Sequence, residues 1–246
     1  MRLLVSTPCY GGQLFRNYVG AVHTCFTQAR DEGLVSDVHF LWQGSESLIP
    51  RARNMDATYL LTEKFDKLLT IDADIDFTYA DLKRIITSER DIVGGIYPLK
   101  CFPVVANLNP LPEHRAKYYS SGRGMDYDSL ERFSKEIADP ETGEAEVEHV
   151  PTGFMCVTQK VFATLSHTVK TYFTFQSDTG GVKGFYEFYP CGAREHQYES
   201  EDWAFSRLAR EAGFRPYINT KVLLGHTGLH TFRMGQFFGA VDAQTK

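Results

Sequence analysis

The sequence predicts a single α/β domain: a mixed, mostly parallel sheet flanked by helices and broken by one irregular insertion. Three observations carry that expectation. Short apolar runs alternate with segments of helical periodicity through the first half of the chain, the order of parallel strands and their crossover helices. Turn and helix-end residues stand at the breaks, among them Thr7-Pro8, Gly11-Gly12 and Gly33. The composition is that of a globular chain: 246 residues, 43% hydrophobic and 23% charged. A chain of that size buries roughly 70–75% of the surface it exposes when unfolded, so one core suffices.

The elements follow in order. Arg2–Ser6 reads as a buried first strand, and a helix over Gln13–Glu32 ends where Gly33 supplies the cap. Val38–Trp42 is the second strand. The polar loop Gln43–Ser47 leads to a helix that opens near Pro50 and runs to Glu63. Lys67–Ile71 is the third strand, Tyr79–Ser88 a helix and Asp91–Gly94 the fourth strand. Leu108–Glu148 holds Pro-rich turns, an aromatic-basic stretch and the acidic run Asp139-Pro-Glu-Thr-Gly-Glu; it reads as irregular, with one or two strands. Val150–Thr158 is a strand and Gln159–Ser166 a short helix. Ser200–Ala212 is an amphipathic helix with Ala204, Phe205, Leu208, Ala209 and Ala212 on one face and Gly213 after it. Pro216–Asn219 and Lys221–Leu224 are extended.

Charge and cysteine usage narrow the function classes. Lys and Arg number 26 against 31 Asp and Glu, a net charge of −5, which argues against a broad basic face for duplex nucleic acid. Cys9, Cys25, Cys101, Cys156 and Cys191 are widely spaced with no CxxC pair, so neither a zinc ribbon nor a disulfide scaffold is expected, and a reducing compartment fits. No run matches the apolar core of a signal peptide, ~7–15 residues, or a membrane span of about 18. A cytoplasmic protein is the expectation.

Four patterns could carry chemistry, and each has a plainer reading. In Leu68-Leu-Thr-Ile-Asp72-Ala-Asp74, alternate side chains of an extended strand end share a side, so two carboxylates can converge where open α/β sheets place ligands. Such a pair suits Mg²⁺ or Mn²⁺ shared with substrate phosphates; alternatively an aspartate there merely caps the next helix. In Pro50-Arg51-Ala-Arg53 two arginines oppose the dipole of their helix start, which a bound phosphate would resolve. On that reading, removing either would weaken binding of the phosphate-bearing ligand more than stability; they could equally be solvated. Ser200-Glu201-Asp202-Trp203 puts two acids in a first helical turn, where they complement the dipole and where Asp202 stays ionised, fit to accept a proton. In Gly225-His226-Thr-Gly228 the imidazole is a late metal ligand or an ordinary buried histidine, and His230 is doubtful as a helical partner. Pro151-Thr152-Gly153 is a weaker fifth feature, a glycine turn beside a strand.

In this order the patterns resemble the GT-A glycosyltransferases, Rossmann-like enzymes, near their family 2-like branch, whose short stand-alone members occur in phages and large DNA viruses. The resemblance covers residues 2–107 and 150–230. It implies one catalytic domain over 1–246, with a nucleotide-binding half (1–107), a variable insertion (108–149) and an acceptor half with the tail (150–246). It places Thr7, Pro8 and Tyr10 near the donor nucleoside, Arg51, Arg53 and Asp72 near its ring or phosphates, and Asp72, Asp74 and His226 around the metal. Thr152, Gly153, Glu201 and Trp203 would face sugar or acceptor, and Asp202 would be the base of an inverting enzyme. One departure stands out: family 2 enzymes carry an acidic run after strand two that reads uracil, and this chain has Gln43-Gly44-Ser45-Glu46.

The expected function is therefore metal-dependent, inverting transfer from a nucleotide-diphosphate sugar, UDP-sugar first, to a hydroxyl of a glycan or of a modified nucleic-acid base. A sugar nucleotidyltransferase or metal phosphoesterase is the rival enzyme, and a non-catalytic sugar-nucleotide-binding module the rival outside catalysis. Tyr118, Tyr119, Phe185, Tyr186, Phe188 and Tyr189 could stack on an acceptor sugar or fill the core.

Overall fold

The computed structural model describes residues 1–119, 124–176, 181–228 and 231–234. From the amino end run β1 (Arg2–Pro8), α1 (Arg16–Asp31), β2 (Asp37–Gln43), α2 (Ile49–Glu63), β3 (Lys67–Ile71), β4 (Ile75–Asp76), α3 (Tyr79–Ile86) and β5 (Ile92–Ile96). Then come β6 (Asn109–Pro110), α4 (Pro112–Tyr118), α5 (Tyr127–Glu136), β7 (Glu144–His149), β8 (Phe154–Thr158) and α6 (Gln159–Leu165). Two antiparallel pairs, β9 (Thr171–Gln176) with β10 (Gly181–Tyr186) and β11 (Gly192–Arg194) with β12 (Gln197–Glu199), precede α7 (Glu201–Glu211), β13 (Pro216–Leu223), β14 (Gly225–Thr227) and β15 (Thr231–Arg233).

The central sheet has the order β2-β1-β3-β8-β5-β13-β7-β6. Its strands run in one direction except β8 and β7, which are reversed. The fold class is thus the expected one, mixed α/β with a mostly parallel sheet and helices on both faces. Side-chain alternation along each strand divides the core. Leu3, Val5, Leu69, Ile71 and Val93 pack under α1 and α3, whereas Leu4, Leu68, Ile92, Met155 and Val157 pack under α2, α5, α6 and α7. Gly33 closes the first helix at φ +69°, a conformation that favours glycine.

Residues 108–149 are more regular than their composition suggested. They form α4 and α5, and β6 and β7 complete the central sheet, with Tyr118, Leu130 and Phe133 buried in the main core. Short helices with few turns of periodicity leave a weak pattern, and a two-residue edge strand leaves none. The two extended segments near the end are one strand, β13. The β9–β10 and β11–β12 pairs were not foreseen.

Two features of the topology matter for the site. Because β8 runs antiparallel to β3, with Phe154 opposite Ile71, the turn before β8 arrives beside the end of β3, and the Asp72 amide donates to the Gly153 carbonyl at 2.9 Å. Because β14 pairs with β4, His226 stands opposite Ile75, and the Thr227 amide donates to the Asp74 carbonyl at 2.8 Å. The cysteines Cys9, Cys25, Cys101, Cys156 and Cys191 are free thiols. Among the described residues no helix is long and apolar enough to cross a membrane.

Candidate functional site

A cavity of about 490 Å³ opens where β3 ends, lined by Pro8, Phe15, Ile49, Arg53, Asp72, Ala73, Asp74, Tyr97, Thr152, Ser200, Glu201 and Asp202. It gathers residues from β1, α2, the Asp72–Asp74 turn, the turn before β8 and the start of α7. The chain is not extended after β3. The Ile75 amide donates to the Asp72 carbonyl at 3.1 Å, closing a turn, so Asp72 and Asp74 reach one cavity through a bend rather than by strand alternation.

Each carboxylate meets a different cation. Arg53 Nη2 donates to Asp72 Oδ1 at 2.9 Å, and its Nε lies 3.7 Å from Glu201 Oε1. Arg53 is 2% exposed, and its Nε and Nη1 have no hydrogen-bond partner. Arg51, at the same helix start, is turned outward and donates to Glu46 at 2.9 Å. The helix-start conflict read from the sequence is thus met within the protein, by Glu46 for one arginine and by Asp72 and Glu201 for the other.

Asp74 sits between Lys100 and His226. Lys100 Nζ pairs with Asp74 Oδ2, and His226 Nε2 lies 3.5 Å from Asp74 Oδ1. Burial pushes this carboxyl up, but His226 and Lys100 outweigh it and hold Asp74 below its ordinary range. His226 Nδ1 is 2.8 Å from the Pro98 carbonyl, an acceptor only, so Nδ1 carries a proton and Nε2 is the nitrogen turned to Asp74. Asp74 Oδ1 is buried without a hydrogen-bond partner. A carboxylate oxygen and an imidazole nitrogen facing each other at 3.5 Å call for a proton or a metal cation between them. A carbonyl that orients an imidazole through its other nitrogen is the usual support of a metal-ligating histidine. Among the described residues no three His, Cys, Asp or Glu side chains gather around one point, since Asp72 is turned to Arg53. A carboxylate oxygen with an imidazole nitrogen nevertheless fits Mn²⁺ or Mg²⁺, ions that complete their shells with phosphates and water.

The opposite wall is the start of α7. Ser200 is its N-cap residue, yet its hydroxyl donates to Asp202 Oδ1 instead of capping a backbone amide. Asp202 Oδ1 also accepts from the Trp203 amide at 2.9 Å. Burial pushes the Glu201 carboxyl up, and Arg53 offsets this only in part. Thr152 is 4% exposed, with its hydroxyl 3.5 Å from Glu201 Oε1. Gly153 is where glycine is required for space: a Cβ would lie 2.6 Å from the Tyr97 hydroxyl and 3.0 Å from Asp72 Oδ2.

The remaining expected residues lie further out. Thr7 is buried with its hydroxyl against that of Tyr18, Pro8 reaches the cavity wall and Tyr10 is exposed. Trp203 stacks on His149, with centroids 4.4 Å apart, and lines a neighbouring cavity. Of the six aromatics considered for stacking, Tyr118, Phe185, Phe188 and Tyr189 are buried in the protein. His230 lies outside the described residues. Tyr97 and Lys100 were missed. Tyr97 receives the Gly153 amide at 3.1 Å and meets the His226 ring edge-on at 5.2 Å, and nothing in Gly94-Gly-Ile-Tyr97-Pro signals either contact.

The fold and site together define a mixed α/β protein with an acidic cavity at the carboxyl ends of its parallel strands. Its fold is similar to the crystal structure of A197 from STIV, at TM-score 0.53 and 14% identity over 93% of this chain and 86% of that one. A looser likeness, at TM-score 0.49 and 9% identity, covers 96% of this chain and 44% of the chain in the crystal structure of GalNAc-T7 with UDP, GalNAc and Mn²⁺. No protein-family model and no curated protein matches the sequence.

Proposed function

We propose that the chain is a metal-dependent inverting glycosyltransferase, moving a sugar from a nucleotide-diphosphate donor, UDP-sugar first, to an acceptor hydroxyl. One observation carries the reading. Four carboxylates, Asp72, Asp74, Glu201 and Asp202, line one cavity at the carboxyl end of β3, where ligands of open α/β sheets bind. The order of motifs in the sequence supports the same reading.

In the proposed reaction Asp202 takes the proton of the acceptor hydroxyl while its oxygen attacks the anomeric carbon from the face opposite the diphosphate. The bond between that carbon and the diphosphate oxygen breaks, releasing a nucleoside diphosphate. Helix α7 gives Asp202 a rigid platform. Ser200 holds one carboxylate oxygen in place. Asp74 and His226 would hold the divalent ion, with Asp72 as the third expected donor. When bound, that ion stabilises negative charge on the leaving diphosphate. Arg53 fixes Asp72 against Glu201, while Pro8, the exposed Tyr10 and the outward-turned Arg51 would flank the nucleotide, with buried Thr7 supporting the end of β1 from behind. Thr152, Gly153 and Glu201 would border the sugar, and Trp203 would reach an acceptor only from the neighbouring cavity that it lines.

The test is incubation with a panel of sugar nucleotides and Mn²⁺, reading the nucleotide product by phosphorus NMR. A nucleoside diphosphate is the expected product. A monophosphate with pyrophosphate or sugar phosphate would favour a nucleotidyltransferase or phosphoesterase, and binding without product would favour a non-catalytic module.

A further inference from the structure

We infer that Lys100 is an exchangeable counter-ion: it pairs with Asp74 while the metal is away and turns to the donor diphosphate once a divalent ion takes the carboxylate. This rests on the donor reading above. The cavity presents four carboxylates against a single lining guanidinium, that of Arg53, which is buried between Asp72 and Glu201. A diphosphate entering such a field is repelled unless further positive charge accompanies it. Mn²⁺ or Mg²⁺, which Asp74 and His226 would hold, would supply part of that charge. Lys100 is the next cation at hand: its Nζ already sits on Asp74 Oδ2, and 36% of its side chain is exposed, so the ammonium is free to swing on its flexible stem.

The two halves of the arrangement are joined by a short stretch of backbone. The Pro98 carbonyl orients His226, and two residues later Lys100 neutralises the facing carboxylate. The segment is itself held in place, with the Leu99 amide donating to the Val105 carbonyl at 2.9 Å. Metal capture weakens the hold of Asp74 on Lys100, because one carboxylate then serves a divalent charge. The released ammonium then lies within a side-chain length of the ion and of any phosphate bound to it. Lys100 thus competes with the metal before the nucleotide arrives and cooperates with it afterwards.

The experiment reads the two affinities separately in Lys100→Gln and Lys100→Arg. Mn²⁺ binding without nucleotide is followed by electron paramagnetic resonance. Binding of UDP, GDP, CDP and ADP in saturating Mn²⁺ is followed by calorimetry. Lys100→Gln removes the competitor, so Mn²⁺ alone should bind about 2- to 5-fold tighter, the scale of a partly exposed ion pair. The nucleoside diphosphate that wild type prefers should bind at least about tenfold weaker, since a charge-assisted contact is lost. Lys100→Arg should recover most of the nucleotide affinity. Opposite signs for the two ligands are the signature, because a merely structural lysine would move both the same way. Mn²⁺ affinity that is unchanged or lower, or undiminished nucleotide affinity, would overturn the inference. A wild type that binds Mn²⁺ but none of the nucleotides would overturn the donor reading and this inference with it.

Discussion

Arg53 Nη2 lies 2.9 Å from Asp72 Oδ1, and 2% of the arginine side chain is exposed. The contact joins α2 to the end of β3 beneath the cavity, with Glu201 of α7 on the other side of the guanidinium. Removing Arg53 leaves Asp72 and Glu201 without their cation, and because 34% and 21% of those side chains are exposed, water limits the cost to about 1.5–3 kcal/mol. Arg53→Ala should therefore lose about that much stability in urea unfolding, along with donor binding. Arg51, paired at the surface with Glu46, should lose about 1 kcal/mol or less on substitution by alanine and show its effect in donor KM. The expectation that both arginines matter more to the donor than to folding is thus kept for Arg51 and reversed for Arg53.

Gly153→Ala tests how tightly the turn before β8 is fitted. The added Cβ meets the Tyr97 hydroxyl, which accepts from the Gly153 amide, and Asp72 Oδ2, whose carboxylate is held by Arg53. Overpacking of this kind costs about 1–3 kcal/mol. Donor affinity should fall with it, because Asp72 must shift. A variant with wild-type donor affinity would show that Asp72 has no part in donor binding.

Asp202→Asn keeps the shape of the side chain and removes its basicity. General-base contributions are typically ~10²–10⁴-fold, so kcat should fall by about that factor while donor affinity barely changes. Glu201→Gln should reduce kcat less and stability more, because Glu201 faces buried Arg53. With an α-linked donor the product should be β-linked, read from the coupling of the anomeric proton by NMR.

Asp56 gives a pH dependence. It is fully buried, with Gln43 Nε2 donating to its Oδ1 at 2.7 Å and the Ser6 hydroxyl to its Oδ2. Burial raises its carboxyl from 3.8 to about 6. Between those values the folded protein binds more protons than the unfolded chain, so this group's contribution is complete below about 4 and is lost as pH rises through about 6. The change is on the order of 3 kcal/mol. Asp56→Asn can accept from Gln43 and donate to Ser6, so it should be more stable than wild type at pH 7 and lack this slope. An unchanged slope in thermal unfolding between pH 4 and 7 would assign it to other groups.

The sequence was most legible where local pattern and tertiary role coincide. Lys67–Ile71 is a strand with the expected bounds, because an apolar run buried on both faces carries its own signal. Helix α7 was visible from the spacing of Ala204, Phe205 and Ala209. Asp72, Asp74, Thr152, Glu201 and Asp202, candidates by sequence pattern, line one cavity. What the sequence hid depends on long-range register. The reversed β8 is an apolar run like its neighbours, and direction leaves no mark on composition. Lys100 and Tyr97 acquire their contacts only because β5 ends beside β8 and β14, and the burial of Arg53 follows from where α7 begins.

The most direct measurement is the anomalous signal of manganese in a crystal grown with Mn²⁺ and a nucleoside diphosphate. A peak about 2–2.5 Å from both Asp74 Oδ1 and His226 Nε2, with the diphosphate on the same ion in the cavity lined by Asp72 and Glu201, is the predicted result. Nucleotide bound away from this cavity, or in it with no manganese peak at Asp74 and His226, would contradict the account.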